Sequence, residues 1–372
     1  MILRSPVTGR VLTRAGHSLS AAGERWPVVD DIAFLRADRR ALAGEVLACL
    51  DSGDATGALV TLLGDQDGWA RTPPPTDEAR REVIAGRDTL SFRAAMDLLA
   101  FGPVGTYFAH RWTDPTFLSG LALAQSYWGA PRSVLELACG AGHFLRAFAG
   151  HATEVIGGDL VFAKLWLARH WIAPLATLVC FDAASPWPFA HRAADLLFCH
   201  DAFYFLPEKR DVAAEMLRVG TRILVGHMHN ALVDNLSAGE PMEPATYAAM
   251  FPAPDMFDDR ELTAALVAGR VPRISTLHDL ATAPAIALAV GTAAPGLATG
   301  PLTDPTPGTA LRRNPLYQGG EIAWPSERYA TEYGPLATYP SHSHAAEHAV
   351  AGSVAVDSLA RQRVFVDLPE RW

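Results

Sequence analysis

Residues 134–142, Val-Leu-Glu-Leu-Ala-Cys-Gly-Ala-Gly, constrain this chain more than any other stretch. An apolar run with the character of a buried strand ends at Gly140 and Gly142, and helix-compatible sequence begins at His143. Residues without a Cβ let the backbone turn sharply there and let a ligand approach the main chain closely. A dinucleotide site of the G-x-G-x-x-G kind wants a third glycine where this chain has Leu145, so that fingerprint is broken. An adenosine cofactor without a pyrophosphate needs fewer glycines and gains from an acid before the turn. Glu136 supplies that acid.

The surrounding pattern repeats the unit. Short apolar strands are expected at 133–139, 154–159, 176–182, 194–200 and 221–229, with helices from His143, over 161–171 and over 208–219. Continuous apolar strands separated by helices make an open, mostly parallel α/β sheet with helices on both faces. After a helix near 259–268, residues 271–278 and 285–292 are expected to pair as the closing edge. Four regions follow: a separate strand-rich segment over 1–36, a helical region over 37–128, the α/β core over 129–293, and an extension over 294–372. The extension opens with a Pro-, Gly- and Thr-rich linker or loop over 294–320.

Two more strands end in acids. Asp159 lies about twenty residues beyond the glycines, where a carboxylate can accept both ribose hydroxyls. Asp182 is placed to accept from an adenine amino group. Acids at three successive strand ends form one constellation at the crevice where open α/β sheets bind ligands.

On these residues the chain resembles a class I, Rossmann-like S-adenosylmethionine-dependent methyltransferase. "LELACGAGHF" is similar to that family's first motif, with Ala138 where glycine is commoner. "VIGGD" matches the second-strand acid, "FDA" the adenine-side acid, and "ADLLFCHDAFYFL" the fourth strand and its sequel. The resemblance implies S-adenosyl-L-methionine as cofactor. Ala138, Cys139, Gly140 and Gly142 would then pass under its methionine and ribose, and Asp159, followed by Leu160, would hold the ribose hydroxyls. Asp182 and the Ala183 backbone would meet the adenine, with Cys199 and His200 beneath the sulfonium. His200, Asp201 and Tyr204 are the acid/base candidates, since histidine titrates near neutrality; packing beside the cofactor is the plainer role for His200. "HDAF" lacks the prolines of the (N/D)-P-P-(Y/F) segment used by the family's DNA and glutamine methylases.

The start, "SPVTGRVL…ERWPVVDDIAFL", is similar to the Trm112-like zinc-ribbon module found before some methyltransferase domains. Ser5 and Thr8 stand at its cysteine positions and no cysteine precedes Cys49, so a metal-free docking or structural segment is expected, with a protein partner one use for it. "GTYFAHRW" (105–112) puts Tyr107 and Arg111 where they would reach the cofactor carboxylate, close the acceptor pocket, or pack a helix. "HMH" (227–229) and "HSHAAEH" (342–348) are histidine clusters expected to lie on loops or pocket walls, without metal. The aromatics Tyr317, Trp324, Tyr329 and Tyr333 are expected to pack on the sheet or to cover an apolar acceptor.

The formal charge of −9 works against gripping nucleic acid through its phosphates. No apolar run reaches membrane-spanning length, and four scattered cysteines suit a reducing cytoplasm. The expected activity is methyl transfer from S-adenosylmethionine to a small or medium-sized metabolite. An RNA or protein methyltransferase, or a non-catalytic partner with this fold, is the alternative.

Overall fold

The computed structural model describes residues 2–70, 72–235 and 238–372. Its centre is an eleven-stranded sheet. Four strands come from the N-terminal segment: β1 (Thr13–Ala15), β2 (Ser18–Ala21), β3 (Glu24–Val29) and β4 (Ile32–Phe34). Five belong to the α/β unit: β5 (Ser133–Leu137), β6 (Glu154–Asp159), β7 (Thr177–Cys180), β8 (Ala194–His200) and β9 (Gly220–His229). The far edge is made by β10 (Asp255–Asp258) and β11 (Ala285–Val290). The spatial order is β1-β2-β3-β4-β7-β6-β5-β8-β9-β11-β10. From β4 to β9 every pairing is parallel, and antiparallel strands flank both ends. The order reverses at β5, between β6 and β8, and a ligand crevice opens at such a switch point.

Alternation along the strands sends residues to two cores. On β8, Leu196 and Phe198 face one core with Phe144, Phe148 and helix Pro115–Ser126. Leu197 and Cys199 face the other with Val212 and Met216 of helix Lys209–Val219.

Three expectations change here. The N-terminal segment is not separate: β4 pairs in parallel with β7, Ile32 opposite Leu178 and Phe34 opposite Cys180, and both side chains are buried in the main core. Where a zinc ribbon would have its first cysteine, the Ser5 hydroxyl donates to Glu24 at 2.5 Å and accepts from the Val7 and Thr8 amides, closing the turn by hydrogen bonds. The closing edge is also different, because β10 over 255–258 pairs with β11 and residues 271–276 form no strand. Pro272 has no amide hydrogen for a ladder, and Thr276 with Asp279 makes a capping box that starts helix Leu277–Leu280. The expected linker is partly core, with Ala298 and Leu302 buried.

The last residues strap the helical region to the sheet. Arg371 donates to the carbonyls of Leu90 and His170, and the Trp372 indole to that of Ala109. No helix of the described residues is long and apolar enough to cross a membrane.

Candidate active site

A cavity of about 770 Å³ opens at the carboxyl ends of β5, β6 and β8. Glu136, Ala138, Cys139, Gly140, Asp159, Leu160, Asp182, Ala183, His200, Asp201 and Tyr204 all line it. Two expected residues do not. Cys199 points to the opposite core, because neighbours on a strand face opposite ways. Gly142, at φ +88°, is the helix N-cap, packed against Ala168 and Leu145.

The turn itself is tight. Gly140 adopts φ +54°, and a Cβ there would come 3.2 Å from the Phe108 ring. Ala138 holds the left-handed φ of +55° without being glycine. The Asp159 carboxylate fastens the turn to the next strand by accepting from the Gly140 amide and the Val161 amide, both at 2.9 Å. Asp182 accepts from the Ala184 amide at 2.9 Å and so also shapes its own loop. A carboxylate has about four acceptor sites, so both acids keep lone pairs for a ligand. Glu136 is buried, its carboxyl pushed well above the usual range by desolvation, and its Oε2 has no hydrogen-bond partner. An orphaned acid on the cavity wall beside a glycine cradle fits a ligand that carries an amino group.

Asp201 is the polar hub. It sits at φ +55°, just past β8. Its Oδ2 accepts from the Tyr107 hydroxyl at 2.7 Å and lies 3.4 Å from the Arg111 guanidinium, and its Oδ1 accepts from Tyr204 at 2.8 Å. Burial alone would raise its carboxyl, but His227 and Arg111 hold it well below the carboxylate range. Arg111 is buried, lies over the Tyr107 ring and pairs with Asp114 at 3.1 Å. His227, behind Asp201, would lose its proton through burial, yet Asp259 at 2.8 Å and Asp201 at 4.0 Å raise it to about 9.

His200 is not placed as a base. Its Nε2 is 2.7 Å from the Thr116 carbonyl, so this nitrogen carries the hydrogen. Its Nδ1 is buried without a partner between Gly120 and Gly226, and burial with the Arg111 charge pushes the ring down to about 3. His143 is also buried, bonded to the Phe108 carbonyl at 2.9 Å.

Two groups on the wall escaped the sequence, Lys164 and Asp67–Trp69. Lys164 is half-buried between Asp67 at 3.4 Å and Asp159 at 3.9 Å; that the chain has only two lysines was the available signal. Asp67–Trp69 forms one rim. Helix Glu327–Tyr333 forms the other and brings Tyr329, Glu332 and Tyr333 over the cavity. Of the tail aromatics, Tyr317 and Trp324 stay off the cavity and pack with Tyr329 and Tyr333 in a C-terminal cluster. The 342–348 tract forms no three-ligand group.

Comparison with known proteins gives one family match and several similar folds. Residues 135–222 match a family described as "Methyltransferase domain". Those residues carry a methyltransferase domain. No curated protein matches the chain. Among solved structures, it is similar to an amino pentose methyltransferase of Micromonospora echinaspora, at 17% identity over 52% of this chain and 98% of that one, TM-score 0.36. It is also similar to phosphoethanolamine N-methyltransferase 2 of Haemonchus contortus, at 17% identity over 46% of each chain, TM-score 0.35. A third is a chain from the complex of the Haloferax volcanii Trm112 methyltransferase activator, at 18% identity over 54% of this chain and 98% of that one, TM-score 0.35. The matched residues end at 222, well before helix Glu327–Tyr333 on the cavity wall.

Proposed function

We propose that this chain transfers a methyl group from S-adenosylmethionine to a small or medium-sized metabolite bound in the same cavity. The observation that carries this reading is the size and walling of the crevice. Asp67–Trp69 and helix Glu327–Tyr333 add walls to a half-open cavity of about 770 Å³, within the range of roughly 300–1,000 Å³ for small-molecule sites. A walled cavity of this size suits a small acceptor better than a nucleic acid or protein lying in a groove. The four cysteines, all unpaired, suit a reducing cytoplasm.

In this reading Asp159 holds the ribose hydroxyls and Asp182 the adenine amino group, with Leu160 and Ala183 beside the ring. Glu136 and the Gly140 turn face the methionine part. The cofactor supplies an activated methyl on a sulfonium: the acceptor–carbon bond forms as the carbon–sulfur bond breaks, leaving a neutral thioether. What this chain adds is positioning. Asp201, kept an anion by His227 and Arg111 and held in place by Tyr107 and Tyr204, orients an N–H or O–H of the acceptor. His200 packs beneath the site as a neutral ring.

The test is calorimetric titration with S-adenosylhomocysteine, beside an Asp159→Ala variant. Micromolar binding that weakens by about 1–3 kcal/mol in the variant is expected, followed by an acceptor screen with labelled methyl donor. No heat and no thermal stabilisation by the ligand would overturn the reading.

A further inference from the structure

Behind Asp201, on the neighbouring strand, lie two histidines to which the proposed function assigns no role. β9 pairs with β11 in one register up to Val225 opposite Leu288 and in another from Met228 opposite Ile286. Gly226 and His227 therefore both stand against Ala287, a β-bulge, and bulges re-aim side chains beside active sites. His227 takes φ +48° there, and its ring comes within 5.2 Å of the His229 ring, centroid to centroid. One donor atom each of Asp201, His227 and His229 lies within 4.8 Å of the others, and all three side chains are largely buried.

Both imidazoles are held from behind. Nδ1 of His227 bonds to Asp259 Oδ2 at 2.8 Å, and Nδ1 of His229 lies 3.1 Å from Asn235 Oδ1. Nε2 is then the nitrogen that each offers, and that of His227 stands 4.0 Å from Asp201 Oδ1. This is too long for a hydrogen bond. Two metal–ligand bonds of about 2.0–2.2 Å meeting at a tetrahedral angle set their donors roughly 3.3–3.6 Å apart, so an ion would draw these two groups together by about half an ångström. An outer carboxylate or carbonyl on the far nitrogen is how metal-binding histidines are oriented. Tyr204 steadies the set, stacked on His229 at 4.3 Å and bonded to Asp201. A buried ion pair would need only His227 and Asp259. It gives no reason for a second imidazole turned toward the same point, nor for the positive φ that the bulge imposes on His227.

We infer that Asp201, His227 and His229 form a binding site for one first-row divalent transition-metal ion. Two nitrogens and one oxygen suit zinc, cobalt, nickel, iron or manganese, whereas calcium and magnesium prefer oxygen alone. Three protein ligands leave coordination positions open. Because Asp201 is part of the cavity wall, an acceptor oxygen is the natural occupant of one of them. The ligand set stands on these side chains and does not depend on the methyl-transfer reading.

The test uses the full chain, stripped with a chelator, and Co²⁺ as probe, read by visible d–d absorption and by metal analysis after dialysis. One Co²⁺ per chain is expected, with the absorption lost in His229→Gln. Asp259→Asn, which touches only the outer carboxylate, is expected to weaken binding by roughly 10–100-fold. His342→Ala and His344→Ala, in the exposed tract, should change nothing. Thermal unfolding of each variant separates lost ligation from lost fold. No uptake above the buffer blank, or uptake that survives His229→Gln and disappears with the tract variants, would overturn the site. S-adenosylhomocysteine titrated into the same samples reports on the cofactor site independently.

Discussion

Ala138 occupies a conformation that L-residues other than Asn and Asp adopt with difficulty, at φ +55°. Ala138→Gly should therefore stabilise the chain by about 0.5–1 kcal/mol, the strain relieved outweighing the added freedom of the unfolded chain; urea unfolding measures it, and a loss would mean that the turn is not strained. At Asp201 the expectation has the opposite sign. Tyr107→Phe deprives a buried carboxylate of its shortest hydrogen bond, and a loss of about 1.5–3 kcal/mol is expected, the scale for bonds to charged groups. The acids at the strand ends were readable because their spacing follows from the βα unit. The fate of His200 was not, since it depends on Thr116, Gly120 and Gly226, which only the folded chain brings together.

Element by element, the parallel core was legible and its borders were not. β6 and β8 coincide with their expected limits because each is a short apolar run closed by turn residues. β10 escaped: it is four residues with an aspartate at each end, and it is a strand only because β11 offers an edge. The union of β4 with β7 was equally hidden, since nothing local in Ile32–Phe34 names a partner in Thr177–Cys180. It carries a prediction. A chain shortened to begin at residue 37 loses Ile32 and Phe34 from the core and bares the β7 edge, so it should fail to give a cooperative thermal transition. Phe34→Ala alone should cost about 3–5 kcal/mol. A shortened chain that melts like the full one would show the N-terminal strands to be an appendage.

For the molecule as a whole, acid should act before the carboxylates titrate. Burial, with Arg93 nearby, depresses His110 to about 4; burial depresses His143 to about 3 against the help of the Phe108 carbonyl, with Arg111 and Arg146 adding to the depression. The unfolded chain binds these protons near pH 6.5 and the folded chain does not, so stability rises with pH between the two values. It is fully present above about 6.5 and lost on acidification towards 3–4. Between pH 7 and 5 each histidine should account for a loss on the order of 1–2 kcal/mol, and His143→Gln should flatten the profile in urea titrations at several pH values. The β4–β7 pairing has a further consequence, in the order of events during synthesis. Ile32 leaves the ribosome about 150 residues before its partner Leu178, which at roughly 5–20 residues per second is a wait of many seconds. Through that interval the β4 edge of the N-terminal meander has no strand to pair with. The nascent chain therefore carries an unpaired edge there and closes it only when the third parallel strand of the core arrives.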